Sequence, residues 1–424
     1  MMRSSEPIEH RHLSCGIELG VRRIAGRRLV AMDIRVFAGF AYESPGHLGV
    51  TSVLEEAITK GTARRDGRSL NDAFDAIGAA HGSYAGRETV GFACLCLPEF
   101  IGQAIALHAE LIGTPTFPDD ACQVAVELAQ QHLAALDDDP GELAKKLLHR
   151  QAYGEPLGRH GLGEKATLAT IGRAQIVDHW RRHFGARRMQ VSVAGAVEAS
   201  AVADLLEKEF AGFEPGPGSP DGAADHQVRP AFDIRFSAAR THYPKDLEQE
   251  QIAICFPGAQ AGDADFYVET VVIGVLAGGM SARLFTEVRE KQGLVYWVGA
   301  WSDHPRTGGM IHLGASATPQ NVERTYTTLL REIGRLADDL TAAELERAIA
   351  GLTTRLVTQG DITRARAAEL ADDLFYHGRP IPTEEKLARI RAVTLDDVRD
   401  YLAAHPRDRL SVVTLGPRPL LGEP

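Results

Sequence analysis

The chain has 424 residues, of which 44% are hydrophobic and 24% charged, and its formal net charge is −11 at pH 7. These proportions are typical of a soluble globular protein, and the length favours two or more domains. The acidic balance disfavours nucleic acid or an anionic membrane surface as a partner. Five scattered cysteines without a C-x-x-C pair suit a reducing compartment. Because no stretch reaches membrane-spanning length and no apolar signal segment opens the chain, we expect a cytoplasmic protein, or a periplasmic one if a signal peptide has been removed.

Apolar periodicity, interrupted by Gly and Pro, predicts alternating strands and helices in residues 1–212. The predicted strands cover residues 29–37, 89–97 and 189–193. The predicted helices cover residues 46–62, 66–77, 98–112, 118–136, 141–153, 171–184 and 199–210.

A segment rich in Pro, Gly and Ser, residues 213–228, predicts a linker near the midpoint of the chain. Residues 229–424 then repeat the order of the first half. Strands are predicted at 251–256, 294–301, 310–315 and 410–414, and helices at 266–276, 282–292, 322–336, 342–357 and 364–376. The repetition predicts an α+β protein of two homologous halves, each with a mostly antiparallel sheet backed by helices.

The helix predicted at residues 46–62 carries the most informative motif of the first half. Its apolar residues recur at helical spacing, and Gly61 ends it. In its middle, Ser52-Val-Leu-Glu55-Glu56 keeps the frame of H-x-x-E-H, the inverted zinc-peptidase motif, with both histidines replaced. The frame of a zinc-binding helix is therefore present without its histidine ligands.

A second motif lies in residues 278–296, Gly-Gly-Met-Ser-Ala-Arg-Leu-Phe-Thr-Glu-Val-Arg-Glu-Lys-Gln-Gly-Leu-Val-Tyr. Together with residues 46–62, 70–79, 138–140, 153–158 and 189–195, this run resembles the insulinase/pitrilysin class of metallopeptidases, in particular the mitochondrial-processing-peptidase type. The resemblance implies two α+β halves per chain. It also implies that each chain forms half of a clamshell that closes around an extended peptide.

In active members of that family, two histidines and a later glutamate hold zinc, and the motif glutamate is the general base. The resemblance places Ser52, Glu56 and His132 at the three ligand positions, whereas Glu55 keeps the base position. A serine hydroxyl is a poor zinc ligand, so we expect no zinc here and a hydrogen-bonded or ionic pair between Glu56 and His132. The alternative is that Glu56 and His132 bind a metal in another geometry.

Two further sets of residues follow from the resemblance. Active relatives grip the substrate backbone with an Asn-Ala pair on an edge strand; Gly82 and Ser83 occupy those positions, so the side-chain amide is missing. Arg289 and Tyr296 match the arginine and tyrosine that bind substrate and stabilise the oxyanion. The structural alternative is a surface Arg289 and a core Tyr296. Arg283 is expected to be structural.

Two histidine pairs invite a metal-site interpretation. His10 and His12 alternate near a terminus that we expect to be mobile, and His179 and His183 are spaced one helical turn apart. Neither pair has a third ligand nearby in sequence, so we expect solvated or packed histidines.

These features favour a non-zinc subunit of a heterodimeric zinc metallopeptidase. This chain would supply Arg289 and Tyr296 and bind no cofactor, whereas a homologous partner with an intact H-x-x-E-H motif would hold the zinc and hydrolyse peptides. Two alternatives remain open: an inert peptide-binding or assembly subunit, and an independent enzyme with a metal at Glu56 and His132.

Overall fold

The computed structural model describes residues 7–213 and 229–421, and within them a six-stranded sheet belongs to the first half of the sequence. Its strands are β1 (Ile8–His12), β2 (Glu18–Arg23), β3 (Val30–Val36), β4 (Ala80–Ala85), β5 (Val90–Cys96) and β6 (Met189–Gly195). Their spatial order is β1-β2-β6-β3-β5-β4. All neighbours are antiparallel except β2 and β6, which run parallel. This order leaves β4 as an edge strand.

The second half forms a five-stranded sheet with the same connectivity. Its strands are β7 (Arg240–Pro244), β8 (Glu250–Gly258), β9 (Val295–Asp303), β10 (Gly309–Ala317) and β11 (Ser411–Gly416). The order is β7-β11-β8-β10-β9, with only β7 and β11 parallel. Strand for strand this repeats β2-β6-β3-β5-β4, so β9 is the edge strand that corresponds to β4.

Helices back both sheets. In the first half they are α1 (Val50–Ile58), α2 (Gly67–Ala76), α3 (Ile101–Gly113), α4 (Asp119–Ala135), α5 (Pro140–Ala152), α6 (Lys165–Leu168), α7 (Arg173–His183) and α8 (Ala199–Glu209). In the second half they are α9 (Phe266–Ala277), α10 (Val322–Gly334), α11 (Leu336–Asp339), α12 (Ala342–Gln359), α13 (Thr363–His377), α14 (Thr383–Ala392) and α15 (Leu395–Ala404). No helix among the described residues is both long and apolar enough to cross a membrane.

The chain folds into two compact units, and neither is a contiguous half of the sequence. The first contains residues up to Ala134, Arg159–Ala231 and Gln359–Pro382, and the second contains Ala135–Gly158, Phe232–Thr358 and the residues from Thr383. Each unit thus includes one helix from the other half. In the first unit α13 packs on β2, β3 and β6, and in the second α5 packs on β8 and β11.

The core of the first unit positions α1. Its apolar residues Val53, Leu54 and Ile58 are fully buried and belong to the same cluster as Ile34 of β3 and Phe92 of β5. Burying each such side chain contributes about 1.5–3 kcal/mol to the apolar packing, so this face of α1 is firmly held. The polar motif residues therefore lie on the remaining face of the helix.

The predicted fold class is confirmed: each half has a mostly antiparallel sheet backed by helices. The sequence patterns did not predict β1, β2 and β7, nor α6, α14 and α15, and β4 was implied only by the resemblance at Gly82 and Ser83. The helix predicted at 282–292 is shorter and ends in a π-helical segment, Phe285–Glu290. Of the predicted linker at 213–228, residues 214–228 lie outside the described residues.

Candidate functional site

The start of α1 is held by a buried carboxylate that the sequence analysis did not identify. Gly49 has a φ of 97°, which favours glycine, and lets the chain turn into the helix. The side chain of Glu43 accepts hydrogen bonds from the backbone N–H groups of Gly49 and Thr51, both at 2.8 Å. Its negative charge also complements the helix dipole. A carboxylate a few residues before a helix was the sequence signal for this contact.

The environment of Glu43 predicts a dependence of stability on pH. Burial raises the pKa of Glu43 from 4.5 to about 7, against the lowering effect of the two backbone N–H groups. A carboxyl with a raised folded-state pKa binds more protons when folded, so its contribution to stability falls as the pH rises from about 4.5 to 7. We expect wild type to lose roughly 1–3 kcal/mol of unfolding free energy over this interval relative to Glu43→Gln.

Urea unfolding at pH 5 and pH 8 measures this difference, and Glu99→Gln, at an exposed position, is the matched control. Glutamine cannot accept both backbone hydrogen bonds, so Glu43→Gln lowers the unfolding free energy at either pH. The quantity to compare is therefore the change in unfolding free energy between pH 5 and pH 8 in each protein. An equal pH dependence in wild type and Glu43→Gln would contradict the prediction.

The motif residues of α1 are half-buried and have partners within the first unit. The Ser52 hydroxyl donates to the backbone carbonyl of Gly161 at 2.7 Å. Glu55 accepts a hydrogen bond from the Ser83 hydroxyl. Burial raises the pKa of Glu55, and the neighbouring charge of Glu56 adds to this. Glu55 is therefore held as a hydrogen-bonded carboxyl group that faces β4.

The predicted pair between Glu56 and His132 is wrong. Glu56 forms an ion pair with Lys60, one helical turn further along α1, at 2.5 Å. His132 is exposed on α4, and among residues 7–213 and 229–421 no hydrogen bond or ion pair joins it to Glu56. An i, i+4 glutamate–lysine pair is favourable on a helix, which explains the choice of partner.

The donor set at these positions does not fit the zinc site of the family. The Ser52 hydroxyl donates its proton to a carbonyl group, and the carboxylate of Glu56 forms an ion pair with Lys60. Zinc sites need three or four N, S or carboxylate ligands directed at one point. Ser52 offers only a hydroxyl group, and within the described residues His132 makes no hydrogen bond or ion pair with Glu56, so these positions do not supply them.

Gly82 and Ser83 both lie on the edge strand β4. A side-chain atom built at Gly82 would meet nothing within 4 Å in the part of the chain that the structure describes. Among residues 7–213 and 229–421, β4 pairs with β5 alone, so the backbone groups on its other side are those of a sheet edge, which can pair with an extended chain. Ser83 is oriented instead toward Glu55, as described above.

In the second unit, the structure brings Arg289 and Tyr296 together. Arg289 lies in the last turn of the π-helical segment, and Gly293, with a φ of 59°, turns the chain into β9. The Arg289 guanidinium consequently lies 5.4 Å from the centre of the Tyr296 ring and 5.0 Å from that of Phe285. Tyr296 is 77% exposed, so it is not the core aromatic of the structural alternative. Cation–π contact orders the two side chains at the surface.

Arg283 has the structural role expected from the sequence. It is buried and donates through Nε and Nη2 to Glu344 at 2.7 and 2.9 Å. Its Nη1 donates to Asp339 at 2.6 Å. These charge-assisted bonds tie the segment before Arg289 to the start of α12, and so support the position of Arg289.

The other histidines differ partly from expectation. His10 and His12 lie in β1, which pairs with β2, and not in an irregular terminus; the His10 ring nitrogen lies 3.0 Å from Glu18. His179 is buried, its Nε2 lies 3.1 Å from the carbonyl oxygen of Ala38, and burial lowers its pKa to about 4. His179 is therefore a packed, neutral histidine, as expected.

Comparisons with known proteins agree with these motifs. The chain is 26% identical over 371 residues to an uncharacterized zinc protease of Rickettsia bellii, covering 87% of this chain and 88% of that protein. It is 23% identical over 414 residues to a probable mitochondrial-processing peptidase subunit beta of Arabidopsis thaliana, covering 95% and 77%.

Two solved structures share the fold. A peptidase M16 inactive domain from Pseudomonas fluorescens superposes with a TM-score of 0.87 at 20% identity, covering 98% of this chain and 100% of that one. A protease from Helicobacter pylori gives a TM-score of 0.87 at 16% identity, with the same coverage. Residues 23–165 match the family model "Insulinase (Peptidase family M16)", and residues 170–352 match "Peptidase M16 inactive domain". The chain belongs to the insulinase, or M16, peptidase family.

Proposed function

We propose that this chain is a non-zinc subunit of a heterodimeric zinc metallopeptidase. It contributes Arg289 and Tyr296 to a zinc site that a homologous partner holds on an intact H-x-x-E-H motif. The observation that carries the proposal is the ordered, exposed contact between Arg289 and Tyr296 at the start of an edge strand. An exposed tyrosine that contacts an arginine contributes little to the stability of the core, so its position favours a role in binding a ligand.

The chemistry of the pair fits peptide hydrolysis. When a hydroxyl attacks a peptide carbonyl, negative charge develops on the carbonyl oxygen, and a tyrosine hydroxyl can donate to it. The Arg289 guanidinium presents several N–H donors in a rigid fork, which suits a peptide carbonyl or a terminal carboxylate. Partner and substrate meet at this surface in the proposed complex.

Two other observations support a non-zinc role. The donor set on α1 does not fit zinc, so in the proposed complex α1 of this chain does not supply the zinc-bound water. The Arabidopsis relative is named as a subunit of a processing peptidase, which is consistent with a chain that works together with another. In the described part of the chain, β4 and β9 are the edge strands of their sheets, and an extended peptide can add as a strand at such an edge.

Reconstitution tests the proposal. We expect no peptidase activity from the purified chain on a mixed peptide pool, and activity well above that of the partner alone when a homologue with an intact H-x-x-E-H motif from the same cell is added. The activity should disappear with a chelator. Chelator-sensitive turnover by the chain alone, abolished by Glu55→Gln, would overturn the proposal and make the first unit an active site.

A further inference from the structure

A compact group of metal-ligating side chains lies in the second unit. It consists of His149 near the end of α5, Asp303 at the end of β9 and His312 within β10. One ligand atom from each of the three residues lies within 4.8 Å of the other two. Neither the motifs nor the family resemblance singled out these residues.

The sheet pairing explains why these residues meet. His312 stands opposite Trp301 in the β9–β10 ladder, and Asp303 follows Trp301 by two residues. Since side chains two residues apart on a strand share a face, Asp303 lies on the same side of the sheet as His312. Helix α5 packs on the neighbouring strands β8 and β11 and brings His149 to the group.

The Tyr153 hydroxyl contacts two members of this group. Its hydroxyl lies 2.7 Å from Asp303 Oδ2 and 2.7 Å from His312 Nε2. The separation of His149 Nε2 from the same Asp303 oxygen is 3.9 Å. Ligand atoms around tetrahedral zinc are about 3.3 Å apart, given metal–ligand bonds of about 2.0–2.1 Å. A shift of well under 1 Å would bring His149 and Asp303 to that spacing.

We propose that His149, Asp303 and His312 bind one divalent transition-metal ion of the Zn²⁺ type, which joins α5 to β9 and β10. Two imidazoles and one carboxylate are a donor set that suits zinc. Tyr153 is a positioning residue whose hydroxyl orients the Asp303 carboxylate. The partly exposed side chains of His149 and Asp303 leave an entry path, whereas His312 is fully buried.

Neighbouring groups define the ligand set. Cys255 pairs with His312 across β8 and β10, but the group whose ligand atoms lie within 4.8 Å of one another is His149, Asp303 and His312, without Cys255. The Trp301 ring stacks on His312, with centres 5.4 Å apart and planes 9° apart, and fixes the imidazole orientation.

Three other side chains, those of His10, His12 and Glu18, also lie close enough together to hold a metal ion, so the two groups can be compared as metal sites. Glu18 already accepts from Arg229 at 2.5 Å and from Gln190 at 2.8 Å. A cation at Glu18 would have to displace or repel the Arg229 guanidinium. We therefore expect the ion at His149 and not at His10.

Zinc titration of the chelator-treated full chain by calorimetry tests the site. We expect one ion per chain, with affinity lowered by more than about 100-fold in His149→Ala, because even loss of a group that orients a ligand costs roughly 10–100-fold. Asp303→Asn, which keeps the shape of the side chain, should lose binding, and Tyr153→Phe should weaken it by about 10–100-fold. His132→Ala and His10→Ala should bind as wild type does.

Thermal unfolding provides a second measurement. Added Zn²⁺ should raise the unfolding temperature of wild type and His132→Ala, but not that of Asp303→Asn, since only a folded chain with the site gains binding free energy. Failure of wild type to bind zinc, or equal binding by His149→Ala and Asp303→Asn, would overturn the proposal. Loss of binding in His132→Ala would assign the ion to α1 and α4 instead. Peptidase activity enters none of these readouts, so the result is independent of the proposed function.

Discussion

Tyr296→Phe is expected to lower kcat of the reconstituted two-chain peptidase by about 10²–10³-fold, with assembly unchanged. The size follows from loss of one donor to the oxyanion, an interaction that strengthens only in the transition state. The substitution is structurally mild, because Tyr296 is 77% exposed and, within residues 7–213 and 229–421, its hydroxyl makes no hydrogen bond. Steady-state kinetics on a defined peptide, with gel filtration of the complex, measures both quantities.

Arg289→Ala tests the other member of the pair. We expect KM to rise as well as kcat to fall, because the guanidinium contacts substrate before and during reaction. Arg289→Lys should restore little, since lysine keeps the charge but loses the planar fork. Arg391→Ala and Tyr243→Phe, in the same unit, are the matched controls. Full turnover by Tyr296→Phe and Arg289→Ala in an intact complex would identify this chain as an inert assembly subunit.

The sequence predicted the elements whose patterns are local. Strand β3 is apolar and β-branched, and α1 shows helical periodicity, so both were predicted within a few residues. Strand β2 was missed because it contains Gly20 and Arg22. Arg22 is buried through an ion pair at 3.1 Å with Glu369 of α13, more than three hundred residues later in the sequence. A strand stabilised by such a distant partner leaves no local apolar pattern.

The units were harder to foresee than the elements. Helices α5 and α13 were each predicted, but nothing in their own sequences shows which sheet they cover. Gly20 of β2 explains part of the choice, since a side-chain atom there would lie 3.0 Å from Leu374 and 3.2 Å from Leu370 of α13. That close approach involves two segments far apart in the chain, so only the folded structure reveals it.

For the site, spacing predicted which residues occupy the motif but not their partners. The motif frame put Ser52 and Glu56 on one helix, and the Arg289–Tyr296 spacing predicted a pair that the turn at Gly293 brings into contact. The Glu56–Lys60 ion pair was visible in the sequence as an i, i+4 pair and was overlooked. The contact of Ser52 with Gly161 depends on tertiary packing and could not be inferred.

Loss of the Glu269 side chain, which supports the end of β9 in the second unit, is expected to have a large effect on stability. Glu269 of α9 is fully buried and accepts from Tyr401 at 2.7 Å and from the Ala259 backbone N–H at 2.6 Å, while His304 Nε2 lies 3.1 Å away. Three separate segments therefore converge on one carboxylate, including the loop that joins β9 to β10. Glu269→Ala should lower the unfolding free energy by about 3–5 kcal/mol, because it leaves buried partners of a charged group unsatisfied.

The pH dependence of the unfolding free energy shows whether Glu269 stabilises the protein through its ionised carboxylate or only through packing. Burial alone would raise its pKa, but hydrogen bonds, first among them that of His304, outweigh burial and hold it below 4.5. A lowered folded-state pKa gives stability that is present above about pH 4.5 and lost as the pH falls through the folded-state value. Glu269→Ala should lack this acid-dependent loss, and exposed Glu346→Ala should behave as wild type.

Urea unfolding followed by tryptophan fluorescence, to which Trp297 and Trp301 of β9 contribute, measures both effects. A cost below about 1 kcal/mol, or an acid-dependent loss equal to that of wild type, would show that Glu269 does not hold these segments together.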